Sequence, residues 1–152
     1  MKGWLLIFLL LLGSVASAQT KDSEKTEPVK KVINQLFDGM RKGDSAMVSS
    51  TFSTGMIMQS ISNRNGETTL KTDKPDGFLK AVGTPHTEVW DERIKFDQVL
   101  IDDNLASVWT SYQFYLGDKF SHCGVNSFQL VKQKSGWKIV YLIDTRRKDN
   151  CN

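Results

Sequence analysis

Three residues near the end of the chain, His122, Asp144 and Arg146, are of types that do chemistry together. An imidazole changes charge near neutrality, and a neighbouring carboxylate can fix its tautomer while it exchanges a proton. The plainer alternatives are a structural hydrogen bond or an Asp144–Arg146 ion pair with no further task. All three lie in the stretch FSHCGVNSFQLVKQKSGWKIVYLIDTRR, residues 120–147, which reads as two long antiparallel strands joined at a Lys-Ser-Gly turn.

A register follows from the turns. If Gly117-Asp118 closes a hairpin with Leu116 opposite Lys119, His122 falls opposite Gln113 and Asn126 opposite Trp109. If Gln133 lies opposite Trp137, Asn126 meets Asp144 and Gly124 meets Arg146. Residues two apart share a face. One face then carries Trp109, Gln113, Tyr115, His122, Asn126, Phe128, Leu142, Asp144 and Arg146, polar at one end and apolar at the other. That distribution is expected of a ligand pocket lined by Trp109, Gln113, His122, Asn126, Asp144 and Arg146, with His122 and Asp144 as the catalytic candidates. Trp109, Tyr115 and Phe128 would either stack on a flat ring or belong to the core. In this register no second carboxylate lies beside Asp144, which weighs against an isomerase that needs a base together with an oxyanion donor. The opposite face (Val108, Tyr112, Phe114, Val125, Val131, Trp137, Ile139, Tyr141, Ile143) is greasier still, so pattern alone leaves open which face meets the helices.

The elements that must hold these side chains form an α+β order. Val29, Val32, Ile33, Leu36, Phe37 and Met40 recur at helical spacing after Pro28, a good first-turn residue. Gly43 and Asp44 end that helix and cap a second, short one. Residues 56–60 and 67–73 read as two short strands around an Asn-Arg-Asn-Gly turn, and Pro75-Asp76-Gly77 opens a small helix. From His86 onward the pattern is all strand, with candidates at 87–100, 105–116, 119–132 and 137–145. A curved antiparallel sheet packed on a helical hairpin is the expected architecture.

Residues 1–18 join a basic start, an apolar run from Trp4 to Leu12 and an Ala16-Ser17-Ala18 site, the pattern of a cleaved secretory signal peptide. The run is shorter than the roughly 20 residues of a membrane span. Residues 19–27 read as a disordered leader, 28–148 as the domain and 149–152 as a tail, in a periplasmic or extracellular protein without a membrane segment once processed. A formal charge of +3 without a basic stripe gives no reason to invoke nucleic acid. In an oxidising compartment Cys123 and Cys151 either form a disulfide or remain as a buried and a free thiol. No CxxC, paired histidines, nucleophile elbow, phosphate loop or dinucleotide fingerprint is present, so no metal or cofactor is expected.

The segments FSHCGVNSFQLVK, GWKI and DTRR, with the order of elements over roughly residues 28–147, resemble the nuclear transport factor 2-like superfamily, and within it the exported bacterial lumazine-binding group. The resemblance implies a conical pocket between sheet and helices, homodimers across the sheet, and functions ranging from ketosteroid isomerisation and epoxide hydrolysis to plain binding. From the matching motif it carries over His122, Asp144, Arg146 and Arg147 as candidates. The expectation is an exported small-molecule-binding protein, with a lumazine or pterin type of ligand implied only by the resemblance. Its rivals are a cofactor-independent isomerase or hydrolase using the His/Asp pair and a dimeric interaction module.

Overall fold

The computed structural model describes the backbone of residues 8–151 and the side chains of residues 24–151 other than Arg64. Helix α1 runs Phe8–Lys42 and buries the stripe Val29, Ile33, Leu36, Phe37 and Met40. Gly43, at φ 65°, stops it, and the Asp44 carboxylate accepts the Met47 N–H to cap α2, Ser45–Ser49. Pro28 lies inside α1 rather than at its start, so the stretch read as a disordered leader is helical. Proline costs a helix one hydrogen bond, and this turn is also held by a Glu27–Lys30 ion pair at 3.3 Å. The signal-peptide reading falls on residues 1–7, which lie outside the described ones, and on 8–18, of which only the backbone is described. Among the described residues no helix is long and apolar enough to cross a membrane.

The remaining elements are β1 (Phe52–Arg64), β2 (Glu67–Asp73), α3 (Pro75–Gly83), β3 (Trp90–Asp102), β4 (Leu105–Leu116), β5 (Lys119–Gln133) and β6 (Gly136–Arg146). They form one curved sheet in the order β2-β1-β6-β5-β4-β3. Every neighbouring pair is antiparallel except β1 with β6, which is parallel. The sheet is therefore mixed, not wholly antiparallel, because the chain carries β6 back beside the first strand after three antiparallel turns. The fold class is α+β as expected. Leu36, Phe37 and Met40 of α1, Val48 of α2 and Val82 of α3 pack onto Ala106, Val108, Phe128, Leu130 and Ile139 of the sheet. Phe37 meets Phe128 edge-on at 6.2 Å between centroids.

One extra residue in β5 decides what faces these helices. Leu116 pairs with Lys119 and Tyr115 with Phe120, but Phe114 pairs with His122, leaving Ser121 bulged out. His122 thus lies opposite Phe114, not Gln113, and Asn126 opposite Thr110, not Trp109. A one-residue shift exchanges faces. Thr110, Tyr112 and Phe114 share the concave face with His122 and Asn126, while Trp109, Gln113 and Tyr115 point to the convex side. The β5–β6 turn closes with Gln133 opposite Gly136 rather than Trp137, but a second irregularity, between Gln129 and Leu130, recovers the offset. Phe128 opposite Leu142 and Asn126 opposite Asp144 are found as expected.

Candidate functional site

Where the helices do not reach the sheet, a cavity of about 660 Å³ remains, lined by α1, α3 and all six strands. Its wall is apolar: Phe37, Met40, Met58, Phe78, Trp90, Phe114 and Leu142. Its polar end gathers Ser60, Glu92, Tyr112, His122, Asn126, Asp144 and Arg146. The parallel pairing of β1 with β6 sets Ser60 beside Asp144.

Each oxygen of Asp144 has a donor. Ser60 Oγ donates to its Oδ1, Arg146 Nε donates to Oδ2 at 2.8 Å, and Tyr112 Oη lies 3.3 Å from the same oxygen. Arg146 Nη2 also donates to Ser60 Oγ at 3.1 Å, closing a triangle. Tyr112 makes its better bond, 2.8 Å, to the Thr145 carbonyl, and burial with the Asp144 charge raises its phenol pKa far above the ordinary value. Gly124 makes this arrangement possible: a Cβ there would stand 1.7 Å from the Thr145 carbonyl oxygen and 2.8 Å from the Tyr112 ring.

Glu92 is differently placed. It stands on β3 at the same parity as Trp90, Ile94 and Phe96, so the strand alternation turns it inward. Asn126 Nδ2 donates to its Oε1 at 2.8 Å and lies 3.4 Å from Thr110 Oγ1. Burial pushes the Glu92 carboxyl up to about 7 against the Asn126 hydrogen bond, with the Asp144 charge adding to the rise. Two carboxyls thus share one end of the cavity with one guanidinium, contrary to the expectation that Asp144 has no carboxylate neighbour.

His122 lines the cavity half-buried, edge-on to Tyr112 and tilted on Phe114 at 5.0 Å. Its hydrogen-bond partner is the neighbouring Ser121 hydroxyl, 3.1 Å from Nδ1. Burial and the Arg146 charge hold the imidazole pKa below its ordinary value, against the pull of Asp144. No His122–Asp144 hydrogen bond is formed: the imidazole bonds Ser121, while Ser60 and Arg146 donate to the carboxylate.

Of the residues expected to line a pocket, the structure brings together His122, Asn126, Asp144 and Arg146. Trp109 is 48% exposed on the convex face. Gln113 is convex too, accepting the Tyr115 hydroxyl at 3.0 Å, beside the Arg93 guanidinium stacked 4.0 Å over the Tyr115 ring. The bulge at Ser121 is the reason for both corrections. Phe128 lies fully buried in the core. Arg147 pairs through its backbone with Cys123, outside the cavity lining. Cys123 and Cys151 are disulfide-bonded. Among the described residues no three His, Cys, Asp or Glu side chains gather as a metal site would require.

No family model matches the sequence, and no curated protein matches it. The structure is similar to an NTF2-like protein of unknown function from Shewanella baltica, at TM-score 0.65 and 15% identity over 83% of this chain and 96% of that one. It is also similar to an NTF2-like protein with a cystatin-like fold from Novosphingobium aromaticivorans, at TM-score 0.66 and 10% identity over 89% and 90%. An NTF-2-like protein of unknown function from Shewanella oneidensis aligns at TM-score 0.61 and 13% identity over 80% and 98%. With a mixed curved sheet closed by helices over a cavity, and these likenesses spanning nearly the full length of each solved structure, the chain has the nuclear transport factor 2-like fold.

Proposed function

We propose that this chain is a small-molecule-binding protein whose ligand lies in the cavity between α1, α3 and the concave sheet face. One observation carries the reading: a cavity of about 660 Å³ with an apolar wall and a convergent polar end, the general form of a small-ligand site. The ligand body would pack on Phe37, Met58, Phe78, Trp90, Phe114 and Leu142. Its polar end would meet Glu92, His122, Asn126 and Arg146. A flat ring of lumazine or pterin type would stack on Trp90 or Phe114, since Trp109 and Tyr115 face the other way. Export is part of the proposal, supported by the Trp4–Leu12 run, the Ala16-Ser17-Ala18 pattern and the cystine. So is a homodimer through the convex face, supported by the exposed Ile57, Leu100, Leu105 and Trp109 there.

Native mass spectrometry of residues 19–152 purified from an export compartment tests the binding reading. The expected result is an added small-molecule mass that disappears in Ala81→Trp, which fills the cavity from α3. An empty protein, in wild type and variant alike, would overturn it. The rival, a cofactor-independent enzyme, is favoured by one feature: Glu92, not the His122–Asp144 pair, holds a carboxyl poised near neutral pH. The interaction-module reading rests on the convex apolar face alone.

A further inference from the structure

The cavity differs in charge from the protein around it. The whole chain carries a formal charge of +3, yet the charged groups lining the cavity are Asp73, Glu88, Glu92 and Asp144 against Lys74 and Arg146. Most of these are already paired or lie toward the rim. Asp73 holds Lys71 at 2.6 Å, and Asp144 holds Arg146 at 2.8 Å. Of the two carboxylates at the polar end, Glu92 alone keeps an oxygen without a hydrogen-bond partner: Oε1 accepts from Asn126, and Oε2 has no partner among the described residues. No buried side-chain oxygen or nitrogen lacks a partner among the described residues, so Oε2 is not sealed off but open to the cavity.

Aromatic residues line the same cavity, and Phe114 pairs with Glu92 across β3 and β4. Trp90 and Phe114 meet at 71° with centroids 6.5 Å apart, and Phe37, Phe78 and Tyr112 are the cavity's other Phe, Tyr or Trp residues. A carboxyl in a cavity lined by aromatic rings is the setting in which an ammonium group gains both an ion pair and cation–π contact. Resting on the cavity reading above, we propose that the ligand is an apolar amine, bound as its ammonium form with the charged nitrogen on Glu92 Oε2 and its body against Trp90 and Phe114. The Arg146 charge is offset by the Asp144 carboxylate paired with it at 2.8 Å.

The proton accounting is simple. The groups facing Glu92 are Tyr112 on β4, His122 on β5 and Asp144 and Arg146 on β6, with Asp73, Lys74 and Glu88 at the rim. With Asp144 and Arg146 cancelling, an empty cavity below neutral pH keeps a proton on Glu92. An arriving ammonium group replaces that proton, which leaves to solvent, and the ion pair forms. Amine affinity therefore rises with pH through about 7, while the amine itself stays charged.

The probes are 1-(2-naphthyl)ethylamine, the corresponding alcohol and 2-naphthoate, titrated calorimetrically at pH 6 and pH 8 in buffers of different ionisation heat. The amine should bind about ten- to hundredfold tighter than the alcohol at pH 8, with naphthoate weakest. Its affinity should fall about tenfold at pH 6, where binding releases nearly one proton. Glu92→Gln should remove the preference, the pH dependence and the proton release. The wild-type comparison stands without the variant, should that variant fold poorly. Alcohol or naphthoate binding as tightly as the amine would overturn the amine assignment and leave the cavity reading intact. Binding of none of the three would overturn the cavity reading, and this one with it.

Discussion

Burying Glu92 beside Asn126 puts a pH-dependent cost into the folded state. Its carboxyl titrates near 7 rather than at the ordinary 4.5, so between those values the native state binds more protons than the unfolded chain. Stability should then fall as pH rises from about 5 to 8, by at most about 3 kcal/mol, since the free oxygen borders the cavity. His122 acts in the other direction: with its pKa lowered, it is stabilised neutral, and stability falls as pH drops through its ordinary range. Urea unfolding of Glu92→Gln across this range should reverse the slope, leaving stability that rises with pH; an unchanged slope would remove Glu92 from the account. Gly124 is the other decisive residue. Gly124→Ala would drive a methyl group into the Thr145 carbonyl, and should cost about 3 kcal/mol or more by thermal or urea unfolding. Glu92 was legible in the sequence: a lone carboxylate at the parity of Trp90, Ile94 and Phe96 is a charge on the buried side of a strand. Its link to the site was not legible, because β3 borders β4 and not the β5–β6 hairpin that carries His122, Asp144 and Arg146.

At the level of elements, the two β-bulges explain which expectations held. No composition or periodicity marks Ser121 as an inserted residue, since a Phe-Ser-His run alternates as well with it as without it. Every assignment between β4 and β5 beyond the bulge therefore moved by one, sending Trp109 and Gln113 to the convex face. Between β5 and β6 the turn is also off by one, but the irregularity after Gln129 cancels it, so Asn126 and Asp144 meet as expected. The parallel contact of β1 with β6 left no trace in the sequence either, because it depends on where the chain returns, not on local pattern. The disulfide acts on the same region. It closes a 28-residue span around the β5–β6 hairpin, just beyond Asp144 and Arg146. Cys151→Ser should lower stability by about 2–4 kcal/mol in urea unfolding. Adding reductant to wild type should give the same loss, and a variant as stable as wild type would mean that the bond restrains little.

For the whole molecule, the proposed dimer turns on the convex face, where Trp109 and its exposed neighbours share one side of the sheet. Trp109→Glu should shift sedimentation from the dimer to the monomer while leaving ligand uptake in place; an unchanged mass would locate any self-association elsewhere. The two faces divide the labour that the sequence left unassigned: the concave one carries the cavity, and the convex one would carry the proposed dimer contact. A further consequence follows from the strand order. β6 is made last, yet it lies between β1 and β5 and is the only strand joining the β1–β2 hairpin to the β3–β4–β5 meander. Until residues 136–146 have left the ribosome, the sheet exists only as two unconnected pieces. Contacts of such sequence separation form late and slowly. A nascent chain that has not yet released residues 136–146 therefore has no complete sheet to fold onto.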